Sequence, residues 1–143
     1  MKKPKVIVLD SWPMMAYLQG ETAAKRVIEI IADAHANGDE LLMSVVNAGE
    51  VWYSIANRAG NDRADEAIEL IRSLGIKFID VDWETTQIAA TYKARGGISY
   101  ADTFAAALTK VRTGSGSDRA SAVLVTGDKE FQQLEKEVAI IWL

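Results

Sequence analysis

Apolar residues fall along this chain in two rhythms. Short unbroken runs occur at Val6 to Leu9, Leu41 to Ser44, Ile76 to Val81, Ala122 to Thr126 and Val138 to Trp142. Runs of that length, rich in β-branched residues and bounded by turn chemistry, predict strands, the first of them buried on both faces. Between them, apolar positions recur every three or four residues, which predicts helices. Pro13 to Leu18 reads as a short helix stopped by Gly20, and a second runs from Thr22 until Asn37 and Gly38 end it. Asn47 reads as the N-cap of a third, closed by Gly60, and Asn61 opens a fourth that ends before Gly75. Asp82 caps a fifth that reaches about Ala94, Ser99 begins a sixth through Val111, and Gly127 to Lys136 forms a short last one.

Strands alternating with helices predict an α/β fold, a three-layer α/β/α sandwich around a mostly parallel central sheet of about five strands. With 143 residues, 49% of them hydrophobic, the chain suits one well-cored domain spanning 1–143. The stretch Thr113 to Asp118, TGSGSD, is the one connection with a flexible composition, and Asp118 beside it reads as an ordinary surface charge.

Composition narrows the chemistry. With no cysteine, thiolate catalysis, disulfides and Cys-ligated metals are excluded, and a single histidine removes most His-based metal sites. No apolar run approaches the roughly 20 residues of a bilayer span, and no apolar signal-peptide core precedes the first strand, so a cytoplasmic protein without a membrane partner is expected. The net charge of −4 supplies no broad basic field for nucleic acid. If RNA or DNA is bound, local patches or a metal must hold it.

Candidate chemistry sits at the helix beginnings. Asp10 follows the first strand, Glu50 lies three residues after Asn47, Asp102 three after Ser99, and Asp128 follows the fourth strand. Taken singly, each is explained by the preference of acids for first helical turns. Together they define one pocket if the strand order brings the junctions side by side. Crowded carboxylates raise one another's pKa and call for a counter-charge, and no Arg or His adjoins the first three. An all-oxygen donor set selects a hard cation, Mg²⁺ or Mn²⁺, and that cation with an activated water suits phosphodiester hydrolysis.

The blocks VIVLDSW, SVVNAGEVWY, ISYADTFAAAL and LVTGDKEF, in that order, resemble PIN-domain ribonucleases, and among them the VapC-type toxins of toxin–antitoxin pairs. The resemblance covers nearly the whole chain. It implies an endoribonuclease dependent on Mg²⁺ or Mn²⁺, commonly a homodimer, neutralised by a cognate VapB-type antitoxin. It implies that Asp10, Glu50 and Asp102 hold metal directly or through water, and that Asp128 completes the acidic set, with Glu50 or Asp128 orienting the attacking water. Thr126 matches the family's hydroxyl before the last acid, and Ser11 the residue after the first. Trp12-Pro13 is bulkier than the family's usual residues there.

The remaining candidates have plainer readings. His35 lies near a helix C-terminus, where it caps carbonyls, and Trp52 belongs to an apolar stripe and reads as core. Trp12 adjoins Asp10 and is placed to stack on a nucleobase. Lys25-Arg26, Arg58 with Arg63, and Lys93 with Arg95 serve equally as phosphate contacts or as solvated helix faces. A haloacid-dehalogenase-like phosphatase would need D-x-D where the chain reads Asp10-Ser11-Trp12, and a receiver domain would need an early acid pair and a late lysine that are not in place. The alternative from a different class is a catalytically silent PIN-like protein-binding module, whose mark would be the loss of a core acid. All four acids remain.

Overall fold

The computed structural model describes residues 5–114 and 121–143. Five strands, β1 (Val6–Leu9), β2 (Glu40–Ser44), β3 (Ile76–Ile79), β4 (Ala122–Thr126) and β5 (Ile140–Trp142), form one sheet in the order β3-β2-β1-β4-β5. Every pairing is parallel, so the sheet is wholly rather than mostly so. β1 lies at its centre, between β2 and β4, which accounts for the burial of all four of its residues. A parallel sheet needs crossovers that cover its faces, and the helices supply them.

Alternation along the strands sends side chains into two cores. Ile7, Leu9, Leu41, Met43 and Val125 pack with α1 (Ser11–Leu18), α2 (Ala24–Asn37), α3 (Val45–Ala59) and α4 (Asn61–Ser73). Val6, Val8, Leu42 and Leu124 face α5 (Trp83–Arg95), α6 (Tyr100–Arg112) and the 3₁₀ helix Lys129–Leu134. The small residues Ala105 and Ala106, both wholly buried, let α6 lie close against the sheet.

Two boundaries differ from the sequence reading in ways that bear on chemistry. Helix α3 begins three residues early, because Ser44 is its N-cap and accepts a hydrogen bond from the Val46 amide at 3.2 Å. The β-branched pair Val45-Val46 prolongs the strand-like pattern, but the serine cap and packing outweigh that propensity. Asn47 is therefore inside the helix and buried, not at its start. The segment after β4 is a 3₁₀ helix rather than an α-helix, which tightens the chain around Asp128. The Thr113 to Asp118 stretch falls largely outside the described residues, and Asp118 wholly so.

His35 meets the Leu74 carbonyl at 2.7 Å, a contact to the end of another helix rather than its own. Trp52 is only half buried, and its Nε1 donates to Asp65 Oδ1 at 2.9 Å. Of the basic candidates, Arg26, Arg63 and Arg95 pair with Glu29, Glu66 and Glu137, and Lys93 donates to the Ile98 carbonyl. Those partners make them structural contacts of the helix surfaces.

Candidate active site

At the carboxyl edge of a parallel sheet, helix N-termini open around the ends of the strands. Here the edge carries Asp10 after β1, Ser44 at the end of β2 and Asp128 after β4, and beside it stand α3 with Glu50 and α6 with Asp102. An open cleft of about 420 Å³ lies among them, lined by Ser11, Trp12, Met15, Glu21, Glu50, Ser99, Asp102, Asp128 and Glu130.

Asp10 immediately precedes the lining pair Ser11 and Trp12 and is itself 1% exposed. Its Oδ1 accepts from the Trp12 amide at 3.2 Å, so it does cap α1. Its Oδ2 accepts from Thr126 Oγ1 at 2.8 Å, and Thr126 Oγ1 in turn accepts from the Asp128 amide at 3.1 Å. The hydroxyl thus ties the ends of β1 and β4 together. Burial pushes the Asp10 carboxyl up to about 8, against the two hydrogen bonds that lower it, and the charges of Asp128 and Glu50 add to the rise.

Asp102 occupies the first turn of α6, where its own amide donates to the Ser99 N-cap hydroxyl at 3.2 Å. Burial raises its carboxyl to about 8 as well, helped by the neighbouring Glu130 carboxyl and by the charges of Asp10 and Asp128. Glu50 lies in the second turn of α3, and its Oε1 accepts from Asn47 Nδ2 at 2.9 Å. The same Nδ2 donates to the Ala101 carbonyl at 3.0 Å, next to Asp102. Asp128 caps the 3₁₀ helix, accepting from the Glu130 amide at 3.0 Å.

All four acids singled out in the sequence meet in this region. The tightest group is not a subset of them. Oxygens of Asp102, Asp128 and Glu130 lie within 4.8 Å of one another, and Glu130 Oε2 also accepts from the Ser99 amide at 3.2 Å. The sequence reading missed Glu130 because an α-helix from Gly127 would direct it elsewhere. The available signal was the second acid in TGDKEF, whose amide the Asp128 cap holds at 3.0 Å. Glu21 and Met15 were missed too, being carried in by α1 and the loop that follows it.

Among the described residues, no ion pair reaches Asp10, Glu50, Asp102, Asp128 or Glu130. This all-oxygen donor set without a cationic partner, in which Asp10 and Asp102 are raised, fits a hard divalent cation. The acidic cluster is chemically suited to hold one.

The sequence profile of the PIN domain matches residues 7–137, from within β1 to just before β5. This chain belongs to the PIN domain family. No curated protein matches it significantly in sequence. Among solved structures, the PIN domain is similar to VapBC2 from Rickettsia felis bound to a DNA fragment from its promoter. That match has a TM-score of 0.70 at 14% identity and covers 95% of this chain and 97% of that one. It is similar to a toxin–antitoxin complex from Klebsiella pneumoniae, with a TM-score of 0.65 at 13% identity over 94% and 95% of the two chains. A third is a VapC toxin of Mycobacterium tuberculosis that cleaves the sarcin–ricin loop, with a TM-score of 0.60 at 17% identity over 73% and 82%. At these identities the likeness establishes a shared fold.

Proposed function

We propose that this PIN domain is a metal-dependent endoribonuclease, the toxin of a VapBC-type pair, held in check by a cognate antitoxin. One observation carries the reading: acids carried by four separate segments of the chain converge at one open cleft, two of them raised to about 8, with no cation paired to them among the described residues. A module that served only to bind a protein would have no use for that repulsion. In this reading residues 1–143 work as one domain, in the cytoplasm and as a homodimer; no helix of the described residues is long and apolar enough to cross a membrane.

Asp10, Glu50, Asp102 and Asp128 would hold Mg²⁺ or Mn²⁺, directly or through water, and Glu130 would join them from the 3₁₀ helix. The chemistry the bound cation supplies is Lewis acidity toward the phosphodiester and acidification of the attacking water. Thr126 keeps Asp10 in place and, as a hydrogen-bond donor, favours its ionised form. Asp128 or Glu50, both on the cleft wall, orients the water for in-line attack. Ser11 and Trp12 line the side on which the nucleotide enters, with the indole offering a flat face to a base. The likeness to toxin–antitoxin complexes supports the antitoxin as partner, and the named activity of the Mycobacterium tuberculosis neighbour supports RNA as substrate.

The test is digestion of a total small-RNA pool by partner-free protein in Mg²⁺, in Mn²⁺ and in EDTA, beside Asp10→Asn. Asparagine retains the capping oxygen and removes the charge, so the fold persists. Discrete products that require metal and Asp10 are expected. No products, together with no rise in melting temperature in millimolar Mn²⁺, would identify a catalytically silent PIN-like protein-binding module instead.

A further inference from the structure

We propose that Asn47 is a positioning residue for the cation site: its carboxamide fixes Glu50 against the start of α6, setting the separation of Glu50 from Asp102. The inference rests on the metal-dependent reading above and assigns a residue that neither caps a helix nor lines the cleft.

Asn47 is fully buried, in the third position of α3 and one helical turn before Glu50. Its single NH₂ group has two hydrogens and two acceptors. One is Glu50 Oε1 at 2.9 Å, the other the carbonyl of Ala101 at 3.0 Å on a different helix. The amide orientation follows from chemistry, because a flipped group would set its oxygen against a carboxylate and a carbonyl. The opposite atom, Oδ1, is buried with no hydrogen-bond partner. A buried polar atom without a partner is unfavourable, so a packed apolar residue would serve stability as well or better. What the apolar residue lacks is the fork that spans α3 and α6.

The neutrality of the amide matters as much as its reach. A lysine or arginine at this position would also direct Glu50, but it would neutralise the negative field that attracts a cation. An aspartate would confront Glu50 with a second acceptor and a like charge. Asparagine orients the carboxylate and leaves its charge available. A hydrogen bond that aims a metal-binding carboxylate is commonly worth roughly 10- to 100-fold in metal affinity or activity.

The experiment measures Mn²⁺ affinity by electron paramagnetic resonance, melting temperature in EDTA, and kcat and KM for RNA cleavage. It compares wild type with Asn47→Leu, Asn47→Asp and Thr109→Val. Thr109 is a fully buried control near the far end of α6, where its hydroxyl donates to the Ala105 carbonyl at 2.9 Å. Asn47→Leu is expected to melt within a few degrees of wild type in EDTA while losing roughly tenfold or more in Mn²⁺ affinity and in kcat, with KM little changed. Asn47→Asp is expected to lose metal affinity too, and Thr109→Val to lose stability alone. Wild-type Mn²⁺ affinity in a folded Asn47→Leu would overturn the inference and leave the nuclease reading standing. An Asn47→Leu that fails to fold, with a folded Asn47→Asp that binds Mn²⁺ as wild type does, would overturn it equally. A wild type that neither binds Mn²⁺ nor cleaves RNA would overturn both.

Discussion

Thr126 Oγ1 donates to Asp10 Oδ2 at 2.8 Å although the two residues are 116 positions apart in the chain. This bond and the Trp12 amide are what restrain the rise that burial imposes on the Asp10 carboxyl. Thr126→Val keeps the shape and removes the donor, so Asp10 should ionise only at still higher pH. Cleavage at neutral pH is expected to fall roughly 10- to 100-fold and to recover in part on the alkaline side. A pH–rate profile matching wild type would detach Thr126 from the site.

Stability in EDTA should depend on pH in a direction set by the same burial. Asp10 goes from 3.8 to about 8 on folding, and Asp102 likewise. Between those values the folded chain holds more protons than the unfolded one, so stability is full below about 4, declines as pH rises and levels off above about 8. Melting temperatures across that window should show the decline. Asp10→Asn should flatten it and melt higher than wild type at pH 8.

Gly127 leaves no room for a side chain, since a Cβ there would stand 2.6 Å from the Trp12 ring. Gly127→Ala must displace the indole and is expected to destabilise by about 1–3 kcal/mol, as overpacking does. In a Trp12→Ala background the same change should have almost no effect. Denaturant unfolding of the four species closes the cycle, and additive effects would show that the indole does not rest on Gly127.

Glu130→Ala removes one of the causes that raise Asp102. The acid limb of the cleavage profile should therefore move to lower pH. The metal-free melting temperature should also depend less steeply on pH. An acid limb that stays where it was would place Glu130 outside the titrating group.

How much of this was legible in the sequence varies with the kind of signal. The strands were readable because unbroken apolar runs such as Val6 to Leu9 have few alternatives in a chain this short. The four acids stood out because Asp10 and Asp128 follow such runs and Glu50 and Asp102 lie near helix starts. Asn47 was legible only as a cap, since helix-start preference speaks of local backbone, while its contact with Ala101 spans 54 positions and depends on how α3 meets α6. Glu130 was hidden by a difference between two helix types over six residues, which propensity does not resolve. Trp52 was assigned to the core on periodicity, but its indole N–H reaches Asp65 on α4 at the half-exposed edge of the stripe.

The central position of β1, with β4 beside it, also governs when the acidic site can be completed. A growing polypeptide that has emerged only as far as α6 already contains Asp10, Glu50 and Asp102, yet it lacks the strand that brings Thr126 and Asp128 to Asp10. Incomplete chains therefore carry most of the acids and no assembled acidic site. In the nuclease reading proposed above, such fragments would lack the Thr126 tie that holds Asp10 in place.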